Sequence, residues 1–243
     1  MTALLEVDRL SKHFGGVRAV DGCTFSVEEG TITGLIGPNG SGKTTAFNLI
    51  TGYLKSESGA VRFDGHSVKN PDPARLYRRG LSRTFQQARV FPDLSVEENL
   101  VIAAGCSWGG LFGARRTKEG RLSALAMLEE FQLAGLADLL AAELSYGQRK
   151  LLEFAAVLMS RPRLVLLDEP TAGVNPVMIN TMEHHIRARH RDGVTFLIVE
   201  HDMQLVMRLC DPVIVLDRGA TIAMGTPTDV QVNPLVLDAY LGD

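Results

Sequence analysis

Thr31-Ile-Thr-Gly-Leu-Ile36 runs without a break into Gly37-Pro-Asn-Gly-Ser-Gly-Lys-Thr44. The first six residues read as a buried strand, and Thr44 to Thr51 reads as a helix. The octet at that junction satisfies G-x-x-x-x-G-K-[ST] in full. Glycines carry no Cβ, so backbone N–H groups can close around phosphate oxygens. At this spacing Lys43 reaches β- and γ-phosphates, the Thr44 hydroxyl takes Mg²⁺, and the helix start adds the positive end of its dipole. The candidate nucleotide-binding set is therefore Gly37, Pro38, Asn39, Gly40, Ser41, Gly42, Lys43, Thr44 and Thr45.

A second element answers the first. Leu164-Val-Leu-Leu-Asp-Glu169 reads as a buried strand ending in two carboxylates, which a strand interior would not tolerate. At the carboxyl end of a parallel strand they lie where open α/β sheets bind ligands. Asp168 is expected to hold Mg²⁺ and Glu169 to orient and deprotonate water. These residues imply hydrolysis of ATP or GTP.

Outward from these motifs, Leu4 to Leu10 and Val17 to Val27 read as β, divided by the turn signal Phe14-Gly15-Gly16, and Val61 to Val68 reads as a hairpin turning at Asp64-Gly65. From about Pro92 to Gly147 the pattern is helical. Ser95-Val-Glu-Glu98 is a capping box, and Leu122 to Leu133 has apolar residues at helical spacing. From Gln148 helices and strands alternate: helix 151–160, strand 164–167, helix 177–190, strand 194–199, helix 203–210 and strand 213–216. Such alternation predicts parallel strands covered by helices on both faces. The expected fold class is α/β: a P-loop NTPase core of mostly parallel sheet, an N-terminal antiparallel β subdomain and an all-helical insert over about 92–147, all within one domain spanning 1–243.

The 243 residues are 45% apolar and 22% charged, as in an ordinary globular protein, and a net charge of −3 gives no reason to expect nucleic acid as a partner. Cys23, Cys106 and Cys210 are scattered, which suits reduced thiols in a cytosolic protein. No signal peptide and no transmembrane run is expected, so a membrane role would come through a partner.

Leu144-Ser-Tyr-Gly-Gln148, between the phosphate loop and the acidic strand, resembles the L-S-G-G-Q signature of ABC ATPases, and with the other motifs the resemblance covers essentially the whole chain. It implies an ATPase dimer, of like or sister subunits, in which Ser145 and Gly147 meet the γ-phosphate of ATP held by the opposite subunit, with Gln148 also in the nucleotide-binding set. It implies that Phe14 stacks on adenine with Val20 lining the same pocket, that Gln86 senses Mg²⁺ and water, and that His201 contacts the γ-phosphate. By the same resemblance Glu169, His201, Gln86 and Lys43 are the catalytic set, and Thr44, Gln86 and Asp168 the metal set.

Two departures stand out: Tyr146 replaces a glycine of the signature, and Ala172-Gly-Val-Asn175 replaces the usual S-A-L-D. Together with Arg83-Thr-Phe-Gln86, Glu200-His-Asp-Met203 and the stretch Asn233 to Gly242, they resemble the branched-chain amino-acid importer subgroup. That implies integral-membrane permease partners, indirectly a substrate-binding protein, and a peripheral place on the inner, cytoplasmic face of the cell membrane. Urea or amide importers and lipid or lipopolysaccharide exporters share the catalytic motifs. Gly105 to Gly120, with Trp108, Leu111, Phe112, Arg115, Arg116 and Lys118, is expected to be a permease-docking surface or a surface loop. His184, His185 and His190 share one expected helix without forming a metal site, and the charges of Glu183 to Arg191 are expected to be a solvated face.

Overall fold

The computed structural model describes residues 2–68, 72–104 and 118–241. Its centre is β3 (Ile32–Ile36), in which every residue is buried. Around it lie β6 (Leu81–Arg83), β7 (Leu164–Asp168), β8 (Thr195–Val199), β9 (Val213–Asp217) and β10 (Ala220–Gly225). The order across this sheet is β10-β9-β3-β8-β7-β6. All neighbours run parallel except β10, which returns antiparallel beside β9.

Each central strand is apolar on both faces because both are covered. On one face Ile36, Val165, Leu167, Phe196, Ile198 and Val215 pack in a cluster with Leu152, Phe154, Ile186 and Val206. On the other, Leu35, Leu166, Leu197, Ile214 and Leu216 pack with Phe47, Ile50 and the second sheet. Successive residues thus serve opposite cores, as a two-residue period requires. Full burial of one side chain such as Phe47 contributes about 1.5–3 kcal/mol. At Gly34 an added Cβ would lie 3.2 Å from Cys210 Cβ and 3.3 Å from Val206 Cγ1, so this glycine lets α7 (Met203–Leu209) lie close on the sheet.

The second sheet is antiparallel, in the order β2-β1-β4-β5, from β1 (Ala3–Phe14), β2 (Val17–Glu28), β4 (Ser58–Phe63) and β5 (His66–Ser67). Asp64 and Gly65, with φ of 52° and 68°, make the expected two-residue turn between β4 and β5.

In the helical stretch, α3 (Val96–Ala103) opens with the expected reciprocal bonds between Ser95 and Glu98. It packs with α4 (Lys118–Glu130) and α5 (Tyr146–Met159), and their buried residues join the sheet's own cluster. Here the sequence reading needs correction, because α5 begins at Tyr146 rather than near Leu151. Ser145 and Gln148 form a capping box, so the quoted signature is itself the helix start, and the expected boundary at Gly147 falls inside a helix. The charges on α6 (Pro176–Arg191) are not simply solvated either. Glu183 pairs with Arg187 and with Arg208 of α7, and Arg189 pairs with Glu130 of α4.

Single-sequence periodicity also passed over the short pieces β6, β10, α2 (Pro73–Arg78), α8 (Pro227–Gln231) and α9 (Pro234–Leu241). α1 itself is Lys43–Ile50. Trp108, Leu111, Phe112, Arg115 and Arg116 lie outside the described residues. No helix among the described residues is long and apolar enough to cross a membrane.

Candidate functional site

The phosphate loop leaves β3 at Gly37 and enters α1 at Lys43. Gly37 and Gly42 hold φ of 150° and 100°; a Cβ would lie 2.0 Å from the Leu216 carbonyl oxygen at the first and 2.2 Å from that of Ala19 at the second. Only glycine fits either place. The N-cap, Gly42, has no side chain to bond the first-turn N–H groups of α1, and that turn holds no acidic residue. A helix start left in this condition is an anion site. Lys43 is buried, and its ammonium donates to the Gly37 and Pro38 carbonyls at 2.8 and 2.9 Å. Burial lowers its pKa, while the charges of Glu169 and Asp168 oppose that shift.

Asp168 and Glu169 occupy the end of β7. Asp168 is buried, and its Oδ2 accepts from Arg83 Nη2 at 2.7 Å. Its Oδ1 is buried with no partner among the described residues. An orphaned carboxylate oxygen, the exposed Thr44 hydroxyl and the side-chain amide oxygen of Gln86 are oxygen donors of the kind a hard cation takes, so these residues suit Mg²⁺. The Gln86 side-chain NH₂ donates to Glu169 Oε2 at 3.0 Å, a bond that does not use its side-chain oxygen. Of the Gln86-Gln87 doublet, it is Gln86 that touches the carboxylate.

Glu169 has φ of 47°, a left-handed conformation that costs a non-glycine residue energy. Its Oε1 lies 2.8 Å from His201 Nε2 and its N–H donates to the Val199 carbonyl at 2.9 Å. The carboxylate is thus held between Gln86 on one side and His201 on the other. Behind it, buried Glu200 accepts from the Thr171 N–H, the Thr171 hydroxyl and the His201 N–H. That links the segment after Glu169 to the residue that faces it.

Ser145, Gly147 and Gln148 stand apart from this cluster. Ser145 is an exposed N-cap, and none of the three hydrogen-bonds to the phosphate loop or to the Asp168–Glu169 pair among the described residues. Tyr146 folds its ring against Gly173, where a Cβ would approach to 3.3 Å, and its hydroxyl donates to the Gln86 backbone carbonyl at 3.3 Å. The two departures from the family pattern, Tyr146 and the glycine at 173, therefore fit each other. Asn175 caps α6 by accepting from the Met178 N–H at 2.9 Å.

Phe14 stands exposed at the hairpin tip, with the Lys12 ammonium 5.3 Å from its ring centroid. Val20 is a correction. Expected to line the same pocket, it is wholly buried, because on β2 the inward positions Val20, Cys23, Phe25 and Val27 face the core. The three histidines of α6 diverge: His185 is buried and stacks on Phe131 with centroids 3.9 Å apart, His184 is exposed, and His190 Nε2 meets the Gly30 carbonyl. Among the described residues no cluster of His, Cys, Asp and Glu could hold a metal by itself.

The sequence reading missed Arg83 as a site residue, together with Lys150 and Glu153. Arg83 carried a signal, a charge ahead of Thr84-Phe85-Gln86, but its partner Asp168 lies far along the chain and only the β6–β7 pairing joins them.

Residues 20–172 match the ABC transporter family, and residues 220–243 match the family described as branched-chain amino acid ATP-binding cassette transporter. The chain is 40% identical to the high-affinity branched-chain amino acid transport ATP-binding protein BraF of Pseudomonas aeruginosa, covering 99% of this chain and 98% of that protein. It is 37% identical to the probable branched-chain amino acid transport ATP-binding protein LivG of Methanocaldococcus jannaschii, with the same coverage. Among solved structures it resembles a nucleotide-free ATP-binding cassette of an ABC transporter, with a TM-score of 0.88 and 36% identity over all of both chains. An ATP-binding cassette in its ADP conformation gives the same figures.

Proposed function

The chain belongs to the ATP-binding, ATP-hydrolysing subunits of ABC transporters, and from that premise we propose that it powers import of branched-chain amino acids through membrane permease subunits. The observation that carries the catalytic part is the Glu169 carboxylate held by Gln86 and His201 beside Asp168 and the phosphate loop. The substrate class rests on full-length similarity to branched-chain amino acid transport ATP-binding proteins and on the match of residues 220–243.

In this reading the triphosphate lies on the uncapped start of α1, where backbone N–H groups and Lys43 neutralise its charge. Mg²⁺, when held by Thr44, Asp168 and Gln86, supplies further neutralisation of the phosphate oxygens. Glu169 orients the attacking water and takes its proton, while Gln86 and His201 fix the direction of the carboxylate. Phe14, exposed beside Lys12, offers its face to the base. Ser145, Gly147 and Gln148, which make no hydrogen bond to their own phosphate loop among the described residues, serve the nucleotide bound by a second ATPase subunit, at a helix start that favours anions. The working assembly is that ATPase pair, together with permease subunits that anchor it to the inner face of the membrane and a substrate-binding protein on the far side.

Glu169→Gln is expected to keep ATP affinity and to lose roughly 10²–10⁴-fold in hydrolysis. The same variant, tagged and purified with ATP and Mg²⁺ from mildly solubilised membranes, tests the system. Two different permeases and a second ATPase support an amino-acid importer, to be followed by leucine, isoleucine, valine and urea uptake. A single lipid-type permease, or soluble partners alone, would overturn the choice of system and leave the ATPase intact.

A further inference from the structure

Tyr146, Lys150 and Glu153 lie four and three residues apart on α5, and so share one face of that helix. The face meets the segment 85–89, which carries Gln86. Tyr146 donates its hydroxyl to the Gln86 carbonyl at 3.3 Å, and Lys150 donates to the Phe85 carbonyl at 3.2 Å. One oxygen of Glu153 accepts from the Phe85 N–H at 3.2 Å and from the Arg89 N–H at 3.0 Å. The backbone of 85–89 makes no other hydrogen bond to any described residue. Lys150 also donates to the Glu169 carbonyl at 3.2 Å, so the same helix touches the backbone of the catalytic carboxylate.

The arrangement is costly. Lys150 and Glu153 are 2% and 4% exposed, and the second oxygen of Glu153 is buried with no partner among the described residues. Apolar side chains would pack there more cheaply but would leave three backbone groups of the loop unbonded. What the buried ions add is a fixed place for that loop. Burial pushes the Glu153 carboxyl up to about 7, against the opposing effect of the Arg89 and Phe85 N–H bonds and of Lys150 and Arg89 charge.

We propose that Tyr146, Lys150 and Glu153 are positioning residues that latch the Gln86 loop to the helix opening at Ser145, so that Gln86 stays on Glu169 only while α5 keeps this place. The proposal rests on the ATPase reading of the site. It makes the two nucleotide sites of a pair interdependent, because any shift of Ser145 toward the partner's nucleotide moves Gln86 in its own site.

The test combines amide hydrogen exchange of the full nucleotide-free chain with kcat and KM for ATP. In the native protein Phe85 and Arg89 are expected to exchange slowly. Glu153→Leu should speed them at least about tenfold and leave β7 and β8 unchanged, with kcat falling about tenfold and KM within about twofold. Glu153→Gln keeps a carbonyl acceptor and should recover most of that protection. Tyr146→Phe keeps the ring on Gly173, so it retains the fold, and should lower kcat about three- to fivefold at unchanged KM. Unchanged exchange in Glu153→Leu overturns the latch, and faster exchange at unchanged kcat overturns its positioning role. If Glu153→Leu fails to fold, an unaltered kcat in Tyr146→Phe overturns the proposal instead. A fully active Glu169→Gln would strike the reading of the site, whereas the exchange experiment needs no nucleotide and reads the latch separately.

Discussion

Replacing Arg83 by Met should cost more stability than any surface substitution in this protein. The Arg83 side chain is 5% exposed and its partner Asp168 2%. Its guanidinium donates to Asp168 at 2.7 Å, to Asn48 and Thr51 at 2.7 and 3.0 Å, and to the Thr84 carbonyl at 3.2 Å. Its charge also lies 4.9 Å from the Phe85 ring centroid and 5.6 Å from that of Phe47. Methionine fills much of the volume but leaves Asp168 as a buried charge without its cation, a defect that costs about 3–5 kcal/mol. Against a total stability of about 5–15 kcal/mol, that is a large fraction. Arg83→Lys keeps a charge but cannot reproduce the fork, and should lose roughly 1.5–3 kcal/mol. Urea unfolding at constant slope measures both. The double variant Arg83→Met with Asp168→Asn should lose clearly less than the sum of its parts, since the second change removes the stranded charge. A loss below about 1 kcal/mol for Arg83→Met, or strict additivity in the double, would refute the reasoning.

Other outcomes follow from single features. Glu153, with a folded pKa of about 7 against an ordinary 4.5, binds its proton more tightly folded than unfolded. Its contribution therefore favours folding at low pH and is lost as pH rises from about 4.5 to 7, by at most roughly 3 kcal/mol. The difference in urea stability between native protein and Glu153→Gln should shift in that direction across that window, and a flat difference would count against it. Gly42→Ala forces a Cβ to within 2.2 Å of the Ala19 carbonyl, so ATP affinity by calorimetry should fall more than about tenfold. Retained affinity would contradict the geometry. Burial pushes the Cys210 thiol up to about 12, so a maleimide at pH 8 should modify it only after unfolding; rapid labelling of its peptide would be evidence of local opening.

What could be read in advance was whatever a short run of residues carries by itself. The glycine octet, the acidic strand end, the capping box at Ser95 and the turn at Asp64-Gly65 each combine a local spacing with a local reason, and each stands where expected. What could not be read depends on register. Arg83 meets Asp168 only because β6 lies beside β7, and Glu153 reaches Phe85 and Arg89 only because α5 crosses that loop. Val20 departs for a related reason: the resemblance assigned it to the pocket, but across the register irregularity of β1–β2 it turns into the core. The start of α5 lies five residues earlier than expected although its signal is local: Ser145-x-x-Gln148, expected just ahead of the helix, is the capping box that opens it.

That double reading bears on why the carboxylate proposed as the base can stay in a strained backbone. Glu169 pays for a φ of 47° in conformational energy, and such a residue persists only where its surroundings over-determine it. Its N–H is fixed by Val199 of β8, its carbonyl by Lys150 of α5, and its carboxylate by Gln86 and His201. Glu200 then ties Thr171, two residues on, to His201 itself. Three of these holds come from elements at the nucleotide edge of the sheet, and one comes from the helix that Ser145 caps. A base held this way keeps its direction while the sheet is rigid, yet loses a backbone anchor and the Gln86 contact together if α5 tilts. On the proposed latch, the strained Glu169 thus shares its anchorage between the sheet, through Val199, and the helix that Ser145 caps, through Lys150.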